Sequence, residues 1–120
     1  MIQPDGKIIV VGSFTKYDTV TVGRILRLNP NGTPDTTFMT NAGAGFDRET
    51  SGAFVLPSGK ILIGTSGGAI YTDVSAVPRP ALGLILLNAD GTYDPSWNIG
   101  TGFDSGVTAF TVDSFGSIWV

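Results

Sequence analysis

The chain has 120 residues, 42% of them hydrophobic and only 14% charged, with a formal net charge of −3. That apolar content suffices for the core of one domain and excludes a disordered polar tail; the seven basic residues are scattered, which excludes the basic stripe of a nucleic-acid binder. The sequence has no Cys and no His, which removes disulfides, thiolate sites, the Ser-His-Asp arrangement and the usual zinc ligand.

No apolar run approaches the roughly 20 residues of a membrane span, so no membrane insertion is expected. With so little charge, part of the surface is expected to be covered by more protein, either more chain or more copies.

In chain order, Gln3-Pro4-Asp5-Gly6 is a turn signal. The opening residues resemble the middle of a repeat rather than a secretory leader, which starts basic and has a longer apolar centre. Lys7 to Gly12 is a β-branched run bounded by glycines, expected to be a strand buried on both faces. Ser13 to Val22 is polar and reads as a loop or short edge. Arg24 to Asn29 reads as the next strand, followed by an Asn29-Pro30-Asn31-Gly32 turn. Phe38 closes the unit, and Asn41 to Asp47 reads as a Gly-rich link. No helical periodicity of useful length is present.

The order then repeats. Gly52 to Leu56 reads as a strand, Pro57 to Lys60 as a turn, Ile61 to Gly64 as a strand and Leu82 to Leu87 as a strand. Asn88-Ala89-Asp90-Gly91-Thr92-Tyr93-Asp94 repeats Asn29-Pro30-Asn31-Gly32-Thr33-Pro34-Asp35, and Trp97 stands where Phe38 stood. Gly100-Thr101-Gly102-Phe103-Asp104 echoes Gly43-Ala44-Gly45-Phe46-Asp47. These links read as connectors with Phe46 and Phe103 packed between units, since no helix follows to make a phosphate-binding loop. A third unit starts with Val107 to Val112, turns at Asp113 to Gly116 and runs into Ser117 to Val120. Gly59 lies 53 positions after Gly6, and Gly116 lies 57 after Gly59.

A period in the fifties with three or four short strands fits a β-propeller blade. The expected fold is all-β: antiparallel propeller-type blades, about two repeats, incomplete as a monomer. Blade 1 spans about residues 1–47, blade 2 about 48–104, and a third begins over about 105–120. A ring needs about four to eight blades. The expected partners are therefore further blades, from a longer chain or from other copies.

At this point the motifs resemble a known family. Gln3-Pro4-Asp5-Gly6-Lys7-Ile8-Ile9-Val10-Val11-Gly12-Ser13-Phe14, Arg24 to Asn29, and Asn31-Gly32-Thr33-Pro34-Asp35-Thr36-Thr37-Phe38 resemble the delta-60 repeat. That is a β-propeller-like repeat of bacterial surface or secreted proteins and of phage structural proteins. The second unit departs from it at Ser58, Leu86 and Trp97, and the third at Phe115. The resemblance implies a scaffold and display role, located extracellularly, on a cell surface or in a virion, and implies no catalytic one.

Candidate sites carry competing readings. Asn29, Asn31 and Asp35, and again Asn88, Asp90 and Asp94, place oxygens at alternate positions around a Gly, as calcium loops do. Turn chemistry explains the same residues and is preferred, because the bidentate glutamate is missing; no cofactor is expected. Lys7, Arg24, Arg27 and Lys60 read as ion-pair partners of the turn aspartates, with an anion site as the functional alternative. The most individual segment is Ser66 to Pro80, a loop longer than its counterpart after Phe14. Tyr71 and Arg79 on it, and Tyr17 on the shorter loop, are the candidates for contact with a protein or glycan partner. Trp97, with Asn98 beside it, is the candidate of a lectin-like reading, although burial between blades is expected for its ring. A carboxylate hydrolase would need a pair outside the repeat, and only Asp18 and Asp73 qualify; no enzyme is expected. The leading expectation is a non-enzymatic structural, display and binding module. The alternatives are a carbohydrate-binding propeller of several copies, and a fragment of a larger repeat protein with its function elsewhere.

Overall fold

Two turns set the frame of the structure, a computed structural model that describes residues 2–97, 111–112 and 118–119. Gly6 and Gly59 take left-handed backbone angles, φ 85° and 88°. Each closes a turn into a strand of β-branched and leucine side chains. β1 (Ile8–Val11) comes after the first turn and β4 (Ile25–Leu28) pairs with it antiparallel, Ile8 opposite Leu28. Between them, β2 (Lys16–Tyr17) and β3 (Val20–Thr21) form a small hairpin where a loop or short edge was expected.

A helix, α1 (Thr36–Ala42), comes after the first Asn-Gly turn, contrary to the all-strand expectation. Its seven residues are too few to show a helical period. Its signals are its ends: Asp35 caps the first turn and Gly43, at φ 59°, closes the last. The Gly-rich link then forms β5 (Gly45–Phe46).

The second sheet has the order β10-β7-β6, from β6 (Thr50–Val55), β7 (Ile61–Thr65) and β10 (Leu84–Leu87). All its pairings are antiparallel, with a bulge near Thr50. The segment read as a long loop is ordered instead. β8 (Ile70–Thr72) and β9 (Pro78–Pro80) form a hairpin, and β8 also pairs with β5, so link and insertion share a three-stranded sheet. Prolines at both ends of β9 disguised it, since Pro is tolerated only on strand edges.

Strand alternation divides the second sheet into two apolar faces. Ala53, Val55, Ile61, Ile63, Ile85 and Leu87 join the main core with Ile9, Val11, Ile25 and Phe38 of the first unit. Leu62, Leu84 and Leu86 turn the other way and meet Trp97. A third strand pair, β11 (Thr111–Val112) and β12 (Ile118–Trp119), sets Thr111 opposite Trp119 and Val112 opposite Ile118. The second sheet sets Phe54 opposite Leu62 and Val55 opposite Ile61. Each of the former residues lies 57 positions beyond its counterpart, so the register repeats with the sequence. The expected connector at 100–104, and the rest of the expected strand and turn over 107–116, lie outside the described residues.

Candidate functional site

The repeated turn is held by the same bonds in both units. The Asn29 and Asn88 amides donate to the hydroxyls of Thr33 and Thr92, at 3.1 and 3.0 Å. Those hydroxyls donate in turn to Asn31 and Asp90, at 2.7 and 2.6 Å. Asp35 accepts from Thr37 N and Phe38 N through Oδ1, while its Oδ2 meets Lys7 at 2.8 Å and Arg27 at 2.9 Å. Asp94 accepts from the Ser96 backbone and hydroxyl through Oδ1 and meets Lys60 at 2.5 Å through Oδ2.

The side-chain oxygens of Asn31, Asp35, Asp90 and Asp94 are thus engaged in turns, a cap and cations, while Asn29 and Asn88 act as amide donors, which is turn chemistry. Burial opposes the charged form of Asp35, but the Lys7 hydrogen bond and the Arg27 charge outweigh it and hold its carboxyl below the usual range. The Lys60 hydrogen bond, aided by Ser96, pulls Asp94 down to about 2. The ion-pair reading therefore holds for Lys7, Arg27 and Lys60.

The β8–β9 hairpin is clamped to the second turn. Tyr71, expected at a contact surface, is instead fully buried. Its ring lies 4.5 Å from that of Phe46, and its hydroxyl donates to Gly91 O. The phenol went inside because a buried carbonyl offers it a partner. Asp73 is also buried: Oδ1 accepts from Ser75 and Oδ2 from Tyr93 N. Burial raises its pKa, but the Ser75 and Tyr93 bonds outweigh this and lower it. That is a structural use of a carboxylate offered to hydrolysis, while Asp18 stays exposed at the β2–β3 tip, at φ 55°.

Arg79 is half-buried with its guanidinium 4.8 Å from the Tyr93 ring centre, and Tyr17 is half-buried and donates to Gly32 O at 2.9 Å. Trp97 is half-buried, touches both apolar clusters, and donates its indole N–H to Leu84 O at 3.2 Å. The candidate contact residues thus spread over several places and form no single site.

A different group of residues does converge. At the ends of β1 and β7, on the seam between the two units, a polar cleft of about 440 Å³ is lined by Ser13, Arg24, Arg48, Glu49 and Ser66. Ser13 and Ser66 are repeat-related, 53 positions apart like Gly6 and Gly59. Thr50 fixes the seam: its hydroxyl accepts from Gly12 N at 2.7 Å and lies 3.1 Å from both Gly12 O and Arg24 O. Glu49 O accepts from Ser66 N and lies 3.2 Å from Ser66 Oγ. Arg24 departs from the ion-pair reading. Among the described residues it has no carboxylate within 4 Å, and its Nη1 donates to Phe46 O at 3.0 Å. It also sits at φ 63°. That conformation costs a side-chain-bearing residue about 1 kcal/mol or more. At the same step of the second unit, 59 positions on, Gly83 adopts φ 94° without that strain.

With this geometry established, comparison with known families gives a match over the first unit. A family model described as a domain of unknown function (DUF5122) β-propeller covers residues 3–38. The chain carries a β-propeller-type repeat. Apart from helix α1 it is a β array of antiparallel sheets, and among the described residues these do not close into a ring. Comparison with curated proteins and with solved structures found no match.

Sequence reading missed the cleft because its residues are far apart in the chain. A signal was nevertheless present where the repeat breaks. Arg24 answers to Gly83, and Arg48-Glu49 answers to Ser105-Gly106, 57 positions on.

Proposed function

We propose that the chain is a non-enzymatic structural and display module, a run of propeller-type blades that packs against further blades and presents its loops to a partner. One observation carries this reading: the second sheet is apolar on both faces. An antiparallel sheet at the outside of a monomer commonly keeps one polar face, whereas a blade between two neighbours needs none. The duplicated turn network supports the same reading, since the same bonds fix each unit. The motif resemblance to the delta-60 repeat supports the finer assignment to a bacterial surface protein or phage virion, with an extracellular location.

Light scattering after gel filtration tests the scaffold reading. The expected outcome is association, for example three copies giving a ring of roughly six blades. A stable monomer that unfolds cooperatively and binds no hydrophobic dye would overturn it. A second reading, a carbohydrate-binding propeller, is favoured by the polar seam cleft. Trp97 gives it no support, because its ring is packed and its N–H is bonded within the sheet.

A further inference from the structure

We infer that the seam cleft between the first two units binds a carboxylate-bearing sugar, a uronic-acid residue of an acidic glycan. The inference deepens the carbohydrate reading, and its failure can be told from the failure of that reading.

Three observations converge on it. The first is donor chemistry. Arg24 commits one guanidinium nitrogen to Phe46 O, and no other bond of its side chain is made among the described residues. Arg48 is exposed, with no side-chain hydrogen bond or ion pair among the described residues, and its guanidinium lies against Gly68. Planar guanidinium groups match a carboxylate in two-pronged fashion. The second is the rest of the lining. Ser13 offers a hydroxyl, the Ser66 hydroxyl donates to Glu49 O and keeps its acceptor capacity, and the Glu49 carboxylate is an acceptor with no cation paired to it among the described residues. Glu49 repels a dianion such as phosphate but accepts from sugar hydroxyls. A ligand with one carboxylate and several hydroxyls matches the donors and acceptors of this lining, and the cleft volume is within the range of small-molecule sites.

The third is where the repeat is broken. The Asn–Thr–Asn/Asp turn and the lysine–aspartate pair recur in both units. Arg24, Arg48 and Glu49 are what the next unit replaces by Gly83, Ser105 and Gly106. Gly83 shows that the backbone step requires no arginine. A strained arginine, kept at a position that glycine serves elsewhere and converging with a second arginine, points to a role in binding.

The test is a titration of the full 120-residue chain, followed by NMR or calorimetry, with sodium glucuronate, glucose, acetate and phosphate as separate probes. Saturable glucuronate binding is expected, with acetate and phosphate much weaker and glucose weakest. Arg24→Gly and Arg48→Ala should each weaken glucuronate roughly 10- to 100-fold. Arg24→Gly should keep the melting temperature of the parent; if it unfolds, the exposed Arg48→Ala carries the test. Glucose binding as well as glucuronate overturns the inference and leaves the carbohydrate reading standing. Absence of binding by either sugar overturns both. Phosphate binding more tightly than glucuronate, or full affinity retained in a folded Arg24→Gly or Arg48→Ala variant, overturns the inference alone.

Discussion

The two units are built on the same turns and diverge immediately after them. Past the first Asn-Gly turn, Asp35 caps a helix and holds two cations; past the second, Asp94 caps a tighter turn and holds one. The second cation is Arg27, whose place is taken by Leu86 in the second unit. Arg27 also lies 4.7 Å from the Phe38 ring centre and donates to Ala89 O of the second unit at 2.7 Å. It therefore ties one unit to the next. Leu86 serves the apolar face that turns away from the first unit. The bonds common to both units hold each blade, and the side chains that differ hold blades to one another or line the cleft.

The largest expected break in this symmetry is at Gly23. A β-carbon there would stand 2.1 Å from Ala44 O and 2.6 Å from Gly45 Cα. Gly23 O also accepts from Phe46 N. Leu82 stands at the same step of the second unit and carries a side chain. Gly23→Ala should cost about 3 kcal/mol or more, because the β4–β5 approach must open and its hydrogen bond is lost. Urea unfolding measures it. A cost below about 1 kcal/mol would show that the link moves freely and that Gly23 only repeats a pattern.

Next in size is the contrast between the two aspartates. Asp35→Ala removes a helix cap and leaves Lys7 and Arg27 without their carboxylate, for an expected loss of about 3 kcal/mol. Asp94→Ala removes the Ser96 bonds and one exposed-sided pair, for an expected loss of about 2 kcal/mol. Equal losses in urea unfolding would mean that the Arg27 pair and the helix cap together add nothing to what the second turn already has.

What was legible in the sequence was local. The Asn-x-Asn/Asp-Gly-Thr-x-Asp turn could be read because its bonds join residues within a few positions, so repetition copied both the letters and the geometry. The pairing of Lys7 and Lys60 with turn aspartates came from the same register. What required distant partners was not legible. Helix α1 was hidden because its signal is an N-cap and a closing glycine with only seven residues between them. Strand β9 was hidden by Pro78 and Pro80, and its partner strand pairs in turn with a link 25 positions earlier, as Phe46 opposite Tyr71 shows. Tyr71 looked like a contact residue because an isolated phenol gives no sign of the Gly91 carbonyl that draws it inside. The cleft lies between these cases: its geometry was invisible, yet the replacement of Gly by Arg at one repeat step was plain to see.

The smallest effect separates the carboxylates by titration. A carboxyl whose pKa is lower in the folded chain than in the unfolded chain stabilises the fold above the unfolded value, and that stabilisation is lost as pH falls through the folded value. Asp94 falls from 3.8 to about 2, chiefly through Lys60, and Asp35 is lowered as well. Stability should therefore be flat above about pH 5 and drop between about pH 4 and 2. Asp94 should account for about 1 to 2 kcal/mol of that drop, after allowance for the solvent around Lys60. Asp94→Asn should be less stable at neutral pH and should lose less on acidification, and Asp35→Asn should do the same through its own pair. Urea midpoints at several pH values measure both. An Asp94→Asn variant that loses as much as the parent between pH 4 and 2 would place the acid sensitivity outside the Lys60–Asp94 pair, in carboxylates such as Asp35 and Asp90 that are also lowered, and that pair would then have no hold on the blade.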